Sequence, residues 1–163
     1  MFDPQNGTWK RTAHMINGRY GHALLATNGK LYAVGGYAAD TYEQMAKVEM
    51  FDPVKASWTA VAHMLTARAG FGAGVGSDGA LYVAGGSVLA PDTVTDKAER
   101  YDPVKNTWTA IPPMPTTRQN CGGGVIGGFF YVLGGSGGEF FEDLRSTDQF
   151  TINAVLPVGR TVR

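Results

Sequence analysis

With 163 residues, of which 14 are basic and 14 acidic, the chain has a formal net charge of zero, and its longest basic cluster is the pair Lys10-Arg11. A neutral chain has no global attraction to nucleic acid or to an anionic membrane, which argues against both classes of partner. The 44% hydrophobic content indicates a globular protein, and 23 glycines without a period of three predict many short strands and tight turns.

Four sequence markers recur along the chain with the same spacing of 49 or 50 residues. Self-similarity at such a period indicates a repeat architecture, in which each unit folds in the same way and packs on its neighbours. The markers are Gly35-Gly36, Gly85-Gly86 and Gly134-Gly135; Trp9, Trp58 and Trp108; Asp3, Asp52 and Asp102; and Arg19, Arg68 and Arg118.

The predicted elements begin with an orphan strand over about 8–15, followed by three units at about 19–64, 68–114 and 118–151. Each unit opens with a strand of small and apolar residues over about 20–27, 69–77 or 119–126. A dipeptide favoured in two-residue hairpin turns ends that strand. A second strand, rich in β-branched and aromatic residues, then runs into the paired glycines as LYAVGG, LYVAGG or FYVLGG.

A polar loop leads to the third strand of each unit, which reads KVEMFDP, KAERYDP or STDQFTI. An Asp-Pro turn follows, and the fourth strand carries the tryptophan. The last unit lacks this turn and this tryptophan, although LPVGR at 156–160 looks like the start of a further unit. Four antiparallel strands per unit, with no helical periodicity, are typical of one blade of a β-propeller.

These features resemble the kelch repeat, in which a Gly-Gly doublet ends a strand, a tyrosine (Tyr32, Tyr82 or Tyr131) stands three residues before it, and an aromatic-Asp-Pro group and a tryptophan follow. The resemblance covers about residues 2–151. It implies an all-β fold of kelch-type propeller blades, each a four-stranded antiparallel sheet, with three blades in one segment over 1–163. The recurring tryptophans and tyrosines are expected to pack between blades.

Three blades do not close a ring, because propellers normally contain about four to eight. The orphan strand 8–15 and the missing fourth strand of the last blade are complementary deficits. One interpretation is a homodimer, in which each chain lends this strand to the other near 147–151 and completes a six-bladed ring. The other is that the sequence is part of a longer propeller, with Met1 as an internal residue.

Two sets of loops are expected to open on the same face of the blades. The loop that enters each blade carries Arg19, Arg68 or Arg118, with Arg160 as a candidate fourth, and such a ring of guanidinium donors suits carboxylate or phosphate. The loops after the Gly-Gly doublets cover 37–46, 87–96 and 136–145. Their acids would neutralise the arginines or form a mixed-charge surface; they are Asp40, Glu43, Asp92, Asp96, Glu139, Glu142 and Asp143.

Animal kelch adaptor proteins, which this chain resembles, bind acidic peptides with arginines at this position and with residues beside the Gly-Gly doublet. By motif position, the resemblance implies ligand-binding roles for Arg19, Tyr20, Tyr37, Arg68, Ser87, Arg118, Gln119 and Ser136. The alternative is a structural role, in which every arginine hydrogen-bonds to neighbouring loops. Three aromatic residues of the variable loops are further candidate hot spots: Tyr42, Phe140 and Phe141.

Catalytic and metal-binding residues are not predicted, and no cofactor is expected. The histidines His14, His22 and His63 are too dispersed over the repeats to converge on a metal. Cys121 aligns with His22 and Phe71, which predicts a small buried thiol rather than a nucleophile. No apolar stretch reaches the roughly 18 residues of a membrane helix. The N-terminus lacks a signal-peptide core, which favours the cytoplasm unless a natural leader is missing.

Two functions are therefore compared. The first is an interaction module that binds a peptide or protein segment, with acidic segments as candidates, on the arginine-bearing face. The second is a carbohydrate-directed kelch enzyme, of the mutarotase or isomerase type, with a loop carboxylate as acid–base. A raised carboxyl pKa beside Arg68 or Arg118 in a deep pocket would favour the enzyme, and shallow loops with exposed Tyr42 or Phe141 would favour the binding module.

Overall fold

The computed structural model describes residues 1–88, 93–137 and 142–152, and its regular structure there is entirely β. A short hairpin precedes the blades; it consists of β1 (Phe2–Asp3) and β2 (Thr8–Trp9). The described part of the chain contains no helix long and apolar enough to cross a membrane.

Blade 1 and blade 2 are four-stranded antiparallel sheets with their strands in sequence order, as expected for propeller blades. Blade 3 has three such strands among the described residues. Blade 1 contains β4 (Ala23–Thr27), β5 (Lys30–Val34), β7 (Val48–Asp52) and β8 (Ser57–Val61). Blade 2 contains β10 (Gly72–Val75), β11 (Leu81–Ala84), β14 (Ala98–Asp102) and β15 (Thr107–Ile111). Blade 3 contains β16 (Gly122–Ile126), β17 (Phe129–Leu133) and β20 (Thr147–Thr151).

Small two- and three-stranded sheets lie at one end of the blades, where the entering loops meet the loops after the glycine doublets. Their strands are β3 (Arg19–Tyr20) with β6 (Tyr37–Ala38); β9 (Arg68–Ala69), β12 (Ser87–Val88) and β13 (Thr93–Val94); and β18 (Ser136–Gly137) with β19 (Glu142–Asp143).

The structure corrects two kinds of predicted strand bounds: the starts of the first strands and the extent of the strand before blade 1. The first strand of each blade does not begin at 20, 69 or 119, because the chain turns through a residue of positive φ, at Gly21, Gly70 and Asn120, before the sheet starts. Of the expected orphan strand 8–15, the strand in the structure covers Thr8–Trp9, which pairs with the chain's own Phe2–Asp3. Lys10 and Met1 extend this hairpin by exchanging backbone hydrogen bonds of 2.8 and 2.7 Å.

The core lies between blades, and the first strands β4, β10 and β16 pack side by side. Tyr32 and Val34 of blade 1 pack against Leu81 and Tyr101 of blade 2, and Tyr82 of blade 2 packs against blade 3. Each buried aromatic contributes a large apolar area, so this stacking makes a large favourable contribution to the stability of the fold. The predicted packing of the tryptophans between blades is confirmed for Trp108, which lies in the core shared by blades 1 and 2. Trp58 is half-buried and its ring lies beside Phe51 of its own blade, and Trp9 is 80% exposed.

The tryptophans also bind neighbouring blades by hydrogen bonds. The indole N–H of Trp108 donates to the Ala62 carbonyl at 2.9 Å, and that of Trp58 donates to the Ala13 carbonyl at 3.2 Å. The Ala62 carbonyl directly follows the fourth strand of blade 1, and the Ala13 carbonyl lies at the equivalent repeat position in the segment before blade 1. At the interface between blades 1 and 2, Trp108 therefore closes the outer edge, while apolar contacts fill the interior.

Glycines in the first strands allow the inner edges of blades 2 and 3 to approach closely. A Cβ added at Gly123 would overlap the backbone of Ala73, whereas a Cβ added at the next residue, Gly124, would meet no atom within 4 Å. We expect Gly123→Ala to lower the free energy of unfolding by about 1–3 kcal/mol, because the overlap must be relieved by backbone shifts.

Thr59→Ala, on the exposed outer strand of blade 1, is the control, with an expected change within about 0.5 kcal/mol. Urea unfolding of both variants in dilute solution measures the difference. Equal stabilities would show that the inner strands are not as close as described.

Candidate functional site

The two predicted loop sets do lie together at one end of the blades, which we call the loop face. In blade 1, Arg19–Tyr20 pairs with Tyr37–Ala38, and in blade 2, Arg68–Ala69 pairs with Ser87–Val88. In blade 3, Gln119 and Ser136 exchange backbone hydrogen bonds of 2.8 and 2.9 Å. Sequence position alone therefore identified which residues share this face.

The recurring arginines lie beneath the loop face rather than on it. Arg68 and Arg118 are fully buried and Arg19 is nearly so. Arg68 donates through Nη1 to the carbonyls of Gly85 and Lys97, both at 2.7 Å. Its Nη2 donates to Glu99 Oε1 at 2.7 Å. Because these donors are already occupied, the expected ring of open guanidinium groups is not formed by the described residues.

The other two blades repeat this arrangement. Arg19 binds the carbonyls of Gly35 and Lys47, each at 2.9 Å, and the carboxylate of Glu49. Arg118 donates to the Gly134 carbonyl at 2.8 Å and to Asp148 at 2.9 Å. In every blade, the guanidinium thus joins the end of the second strand to the beginning of the third, which matches the structural alternative for these residues.

The carboxylate partner of each arginine was missed by the sequence reasoning, although a signal for it exists. Glu49, Glu99 and Asp148 follow the repeat spacing in the third strands, as the arginines do in the entering loops. Glu49 also accepts hydrogen bonds from the backbone N–H groups of Ile16 at 2.7 Å and Asn17 at 3.1 Å. It therefore holds the loop that enters its own blade.

The Glu49 carboxyl has a lowered pKa. Burial raises this pKa, but the hydrogen bonds from Asn17, Ile16 and Arg19 and the positive charge of Arg19 together outweigh that effect. A carboxyl that remains ionised and has its oxygens occupied is a structural acceptor, not a general acid. Glu99 has an analogous geometry, because Leu65 N–H donates to its second oxygen at 2.7 Å.

Tyrosines form the accessible part of the loop face in blade 1. The rings of Tyr20 and Tyr37 stack with centroids 5.0 Å apart, and Tyr42 meets Tyr20 edge-on at 6.4 Å. Tyr20 is 45% and Tyr42 71% exposed. We call these three residues the tyrosine cluster. It provides a rigid apolar surface whose hydroxyl groups can form hydrogen bonds.

The tyrosine cluster is fixed to blade 2 through Ser87. The Tyr37 hydroxyl and Ser87 Oγ lie 2.6 Å apart, and Gln44 Nε2 lies 3.4 Å from the same oxygen. Tyr20, Tyr37 and Ser87 were predicted site residues, so the structure brings three of the predicted eight into one contacting group. The predicted residues Gln119 and Ser136 lie in blade 3, where their backbones pair with each other.

A cavity of about 590 Å³ lies beside the tyrosine cluster, between the entering loop and the 37–46 loop of blade 1. Its lining includes Asp40 and Glu43 as well as Lys47 and His63. Lys47 Nζ donates to Asn17 Oδ1 at 2.9 Å. The cavity therefore carries both signs of charge, as expected for the mixed-charge alternative. Several of the predicted loop residues lie outside the described residues: Asp92, Glu139, Phe140, Phe141 and Arg160; for Glu142 only the backbone is described.

His22, Phe71 and Cys121 stand at equivalent positions of the three blades, and Cys121 is partly buried. Burial, together with the positive charge of Arg19, lowers the pKa of His22, which favours the neutral imidazole. Burial raises the pKa of the Cys121 thiol, so the reactive thiolate is disfavoured. Among residues 1–88, 93–137 and 142–152, no three metal-ligating side chains are grouped as a metal site requires.

A family model for the kelch motif matches residues 18–65 and 67–115. The chain belongs to the kelch-repeat family. The kelch matches coincide with blades 1 and 2, in which all four strands and the tryptophan are present. Blade 3 departs from the motif in its third strand, where Phe150-Thr151 replaces the aromatic-Asp pair.

Two known proteins are similar to this kelch chain. A putative F-box/kelch-repeat protein of Arabidopsis thaliana is 46% identical over 41 residues, which is 25% of this chain and 12% of that protein. The solved structure of YjhT superposes with a TM-score of 0.79 at 16% sequence identity. The superposition covers 93% of this chain and 48% of the YjhT chain. The second similarity shows the fold alone. The chain spans about half of that structure and a smaller part of the plant protein.

The buried Arg68–Glu99 pair generates a stability prediction. Arg68→Met leaves the Glu99 carboxylate and two carbonyls without their donors, so we expect a loss of about 3–5 kcal/mol in the free energy of unfolding. Lys105→Met is the control, because its ion pair with Asp102 is solvent-exposed, and it should change stability by less than about 0.5 kcal/mol. Chemical denaturation of both variants at pH 7 measures the difference, and similar losses would contradict the structural role of Arg68.

The lowered pKa of Glu49 generates a prediction about pH. A carboxyl whose pKa is depressed by folding stabilises the native state above its ordinary value of 4.5 and loses that contribution as pH falls through its folded pKa. The wild-type urea midpoint should therefore fall between pH 7 and pH 3 by more than that of Glu49→Gln, which does not titrate. An equal fall in both proteins would show that Glu49 does not contribute to acid sensitivity.

Proposed function

We propose that this kelch protein is an interaction module that binds a segment of another protein on its loop face. The observation that carries the proposal is the tyrosine cluster, in which Tyr20 and Tyr42 remain exposed although they contact each other. Kelch repeats commonly serve as protein-interaction modules, and tyrosine is enriched at the energetic centres of protein interfaces. The three tyrosine side chains already pack against one another, so their ordering on binding costs little further conformational entropy.

The buried arginines alter the kind of partner that this face favours. Open guanidinium groups would have selected an acidic segment, but those of Arg19, Arg68 and Arg118 are neutralised inside the blades. We propose that affinity comes instead from apolar contact with Tyr20 and Tyr42. Hydrogen bonds to hydroxyl and amide groups of the face would add to it.

The carbohydrate-directed enzyme is less well supported than the binding module. An acid–base carboxyl should have a raised pKa and a free oxygen directed into a pocket. Glu49 has a lowered pKa, and both oxygens of Glu99 accept hydrogen bonds from Arg68 and Leu65. We therefore propose a role in binding, without catalysis by the carboxylates that accompany these arginines.

Ring closure is part of the same proposal. Three blades leave an open blade face at each side of the stack, and a complete loop face requires further blades. We propose that a second copy supplies them and forms a six-bladed homodimer, with the remainder of a longer propeller as the alternative source. Light scattering that gives twice the chain mass of 17.3 kDa supports the homodimer, and a monomer contradicts it.

A displayed library of random peptides tests the binding proposal. Peptides selected on the wild-type protein should bind Tyr42→Ala and Tyr20→Ala at least about tenfold more weakly, because each variant removes an exposed aromatic contact. Val54→Ala is the matched control, since Val54 is 91% exposed in a turn between third and fourth strands, at the opposite end of blade 1. It should bind the same peptides as tightly as the wild type. Failure to select any peptide, or equal binding by all variants, would refute the proposed site.

A further inference from the structure

The blades have two different faces, and the contact between blades 2 and 3 shows how they fit. On the side of blade 2 that faces blade 3, the first strand carries Gly72 and Gly74. A Cβ added at Gly72 would lie 2.7 Å from Val132, and one added at Gly74 would lie 2.9 Å from Val125. Glycines on one face therefore accommodate larger side chains on the face of the next blade.

The same glycine pattern recurs on the open face of blade 3, where no blade is present among the described residues. Gly122 and Gly124 stand 50 positions after Gly72 and Gly74. A Cβ added at Gly124 would meet nothing within 4 Å, and one added at Gly122 would meet only Leu133 of its own blade, at 3.9 Å. Both residues lie outside the left-handed region, so neither backbone conformation requires glycine. The glycine pattern of a close approach is thus present on a face that no other described blade approaches.

The open face of blade 1 has the opposite character. Leu24 lies at the repeat position of Ala73 in blade 2 and Gly123 in blade 3, both of which face the preceding blade. It is 58% exposed. Its isobutyl side chain would fit against a strand whose facing residues are glycines, as Val125 fits against Gly74. The two open faces of this chain are therefore complementary in shape.

The outer edges are complementary as well. In blades 1 and 2 the third strand pairs with a tryptophan, Phe51 with Trp58 and Tyr101 with Trp108, and these rings lie 5.2 and 5.1 Å apart. Phe150 is the equivalent residue of β20, which has no outer neighbour among the described residues. Trp9 pairs with Phe2 of its own short hairpin, with the two rings 5.1 Å apart.

We infer that the open face of blade 3 is the docking surface for blade 1 of a second copy of this chain. Leu24 of the second copy lies over Gly122 and Gly124, and its residues 8–12 form the fourth strand of blade 3, with Trp9 opposite Phe150. The strand pairs through the register of the other blades, which places Arg11 opposite Asp148. This pairing between the two copies replaces the short hairpin in which Thr8–Trp9 pairs with Phe2–Asp3 of the same chain.

The proposed contact between the two copies repeats contacts that already exist between neighbouring blades of one chain. The Trp9 indole N–H reaches the carbonyl of Pro112 in blade 2 of the other copy, the position equivalent to Ala13 and Ala62. Applied in both directions, the contact forms a closed ring of six blades. The inference rests on the proposed ring closure and specifies its interface, and it is independent of peptide binding on the loop face.

Substitution of Gly124 tests the surface without disturbing the isolated chain. The wild-type protein should have twice the 17.3 kDa chain mass in analytical ultracentrifugation. Gly124→Leu should raise the dimer dissociation constant at least about tenfold, since the side chain occupies the space of Leu24. Ala60→Leu, on the exposed outer strand of blade 1, is the matched control and should remain dimeric. A monomeric wild type, or an unaffected Gly124→Leu dimer, overturns the inference.

Disulfide trapping tests the strand register. Thr8 should lie directly opposite Thr151 of the other copy, as Ser57 lies opposite Asp52 in blade 1. With Cys121→Ser removing the only native thiol, Thr8→Cys combined with Thr151→Cys should give a covalent dimer on a non-reducing gel. Thr8→Cys combined with Val104→Cys is the control and should remain monomeric on that gel. A wild-type dimer without the Thr8–Thr151 cross-link would overturn this interface while leaving ring closure by another surface.

Discussion

In each blade, a guanidinium group lies where three segments meet: the loop that enters the blade, the end of its second strand and the beginning of its third. Desolvation of this charge is costly, and the cost is offset because carbonyls and a carboxylate replace water around it. The carboxylates of Glu49 and Glu99 in turn hold the N–H groups of the entering loop. The loop face therefore has a fixed position relative to the sheets, whatever side chains it carries.

Because the repeated charges neutralise each other internally, the proposed recognition depends on residues that differ between blades. Tyr20 has Ala69 and Gln119 at its equivalent positions, and Tyr37 has Ser87 and Ser136. The hydrogen bond between Tyr37 and Ser87 uses this difference to join two blades. The buried ion pairs that stabilise the blades and the residues of the proposed binding site are thus separate, so that a loop residue can change without weakening the blade beneath it.

The repeat spacing was sufficient to predict the blades, their strand order and the residues that share the loop face, since each follows from a local pattern repeated in sequence. It could not show whether Arg68 is open or buried, because that depends on Glu99, which lies in a different strand. The recurrence of Glu49, Glu99 and Asp148 was available as a clue. Tyr20, Tyr37 and Tyr42 were each predicted as candidate site residues, but their contact with one another was not, because it forms only on folding and the equivalent positions in the other blades carry no tyrosine.

The difference between the two faces of a blade, glycines on one and larger side chains on the other, gives the stack a direction. Units with unlike, complementary ends join head to tail, and such chains of units form a closed ring only if the rotation at each contact adds up to a full turn. With a slightly different rotation, the same contacts would propagate as a helical filament. In the proposed dimer, the wedge angle between neighbouring blades is therefore what separates a finite ring from an endless filament.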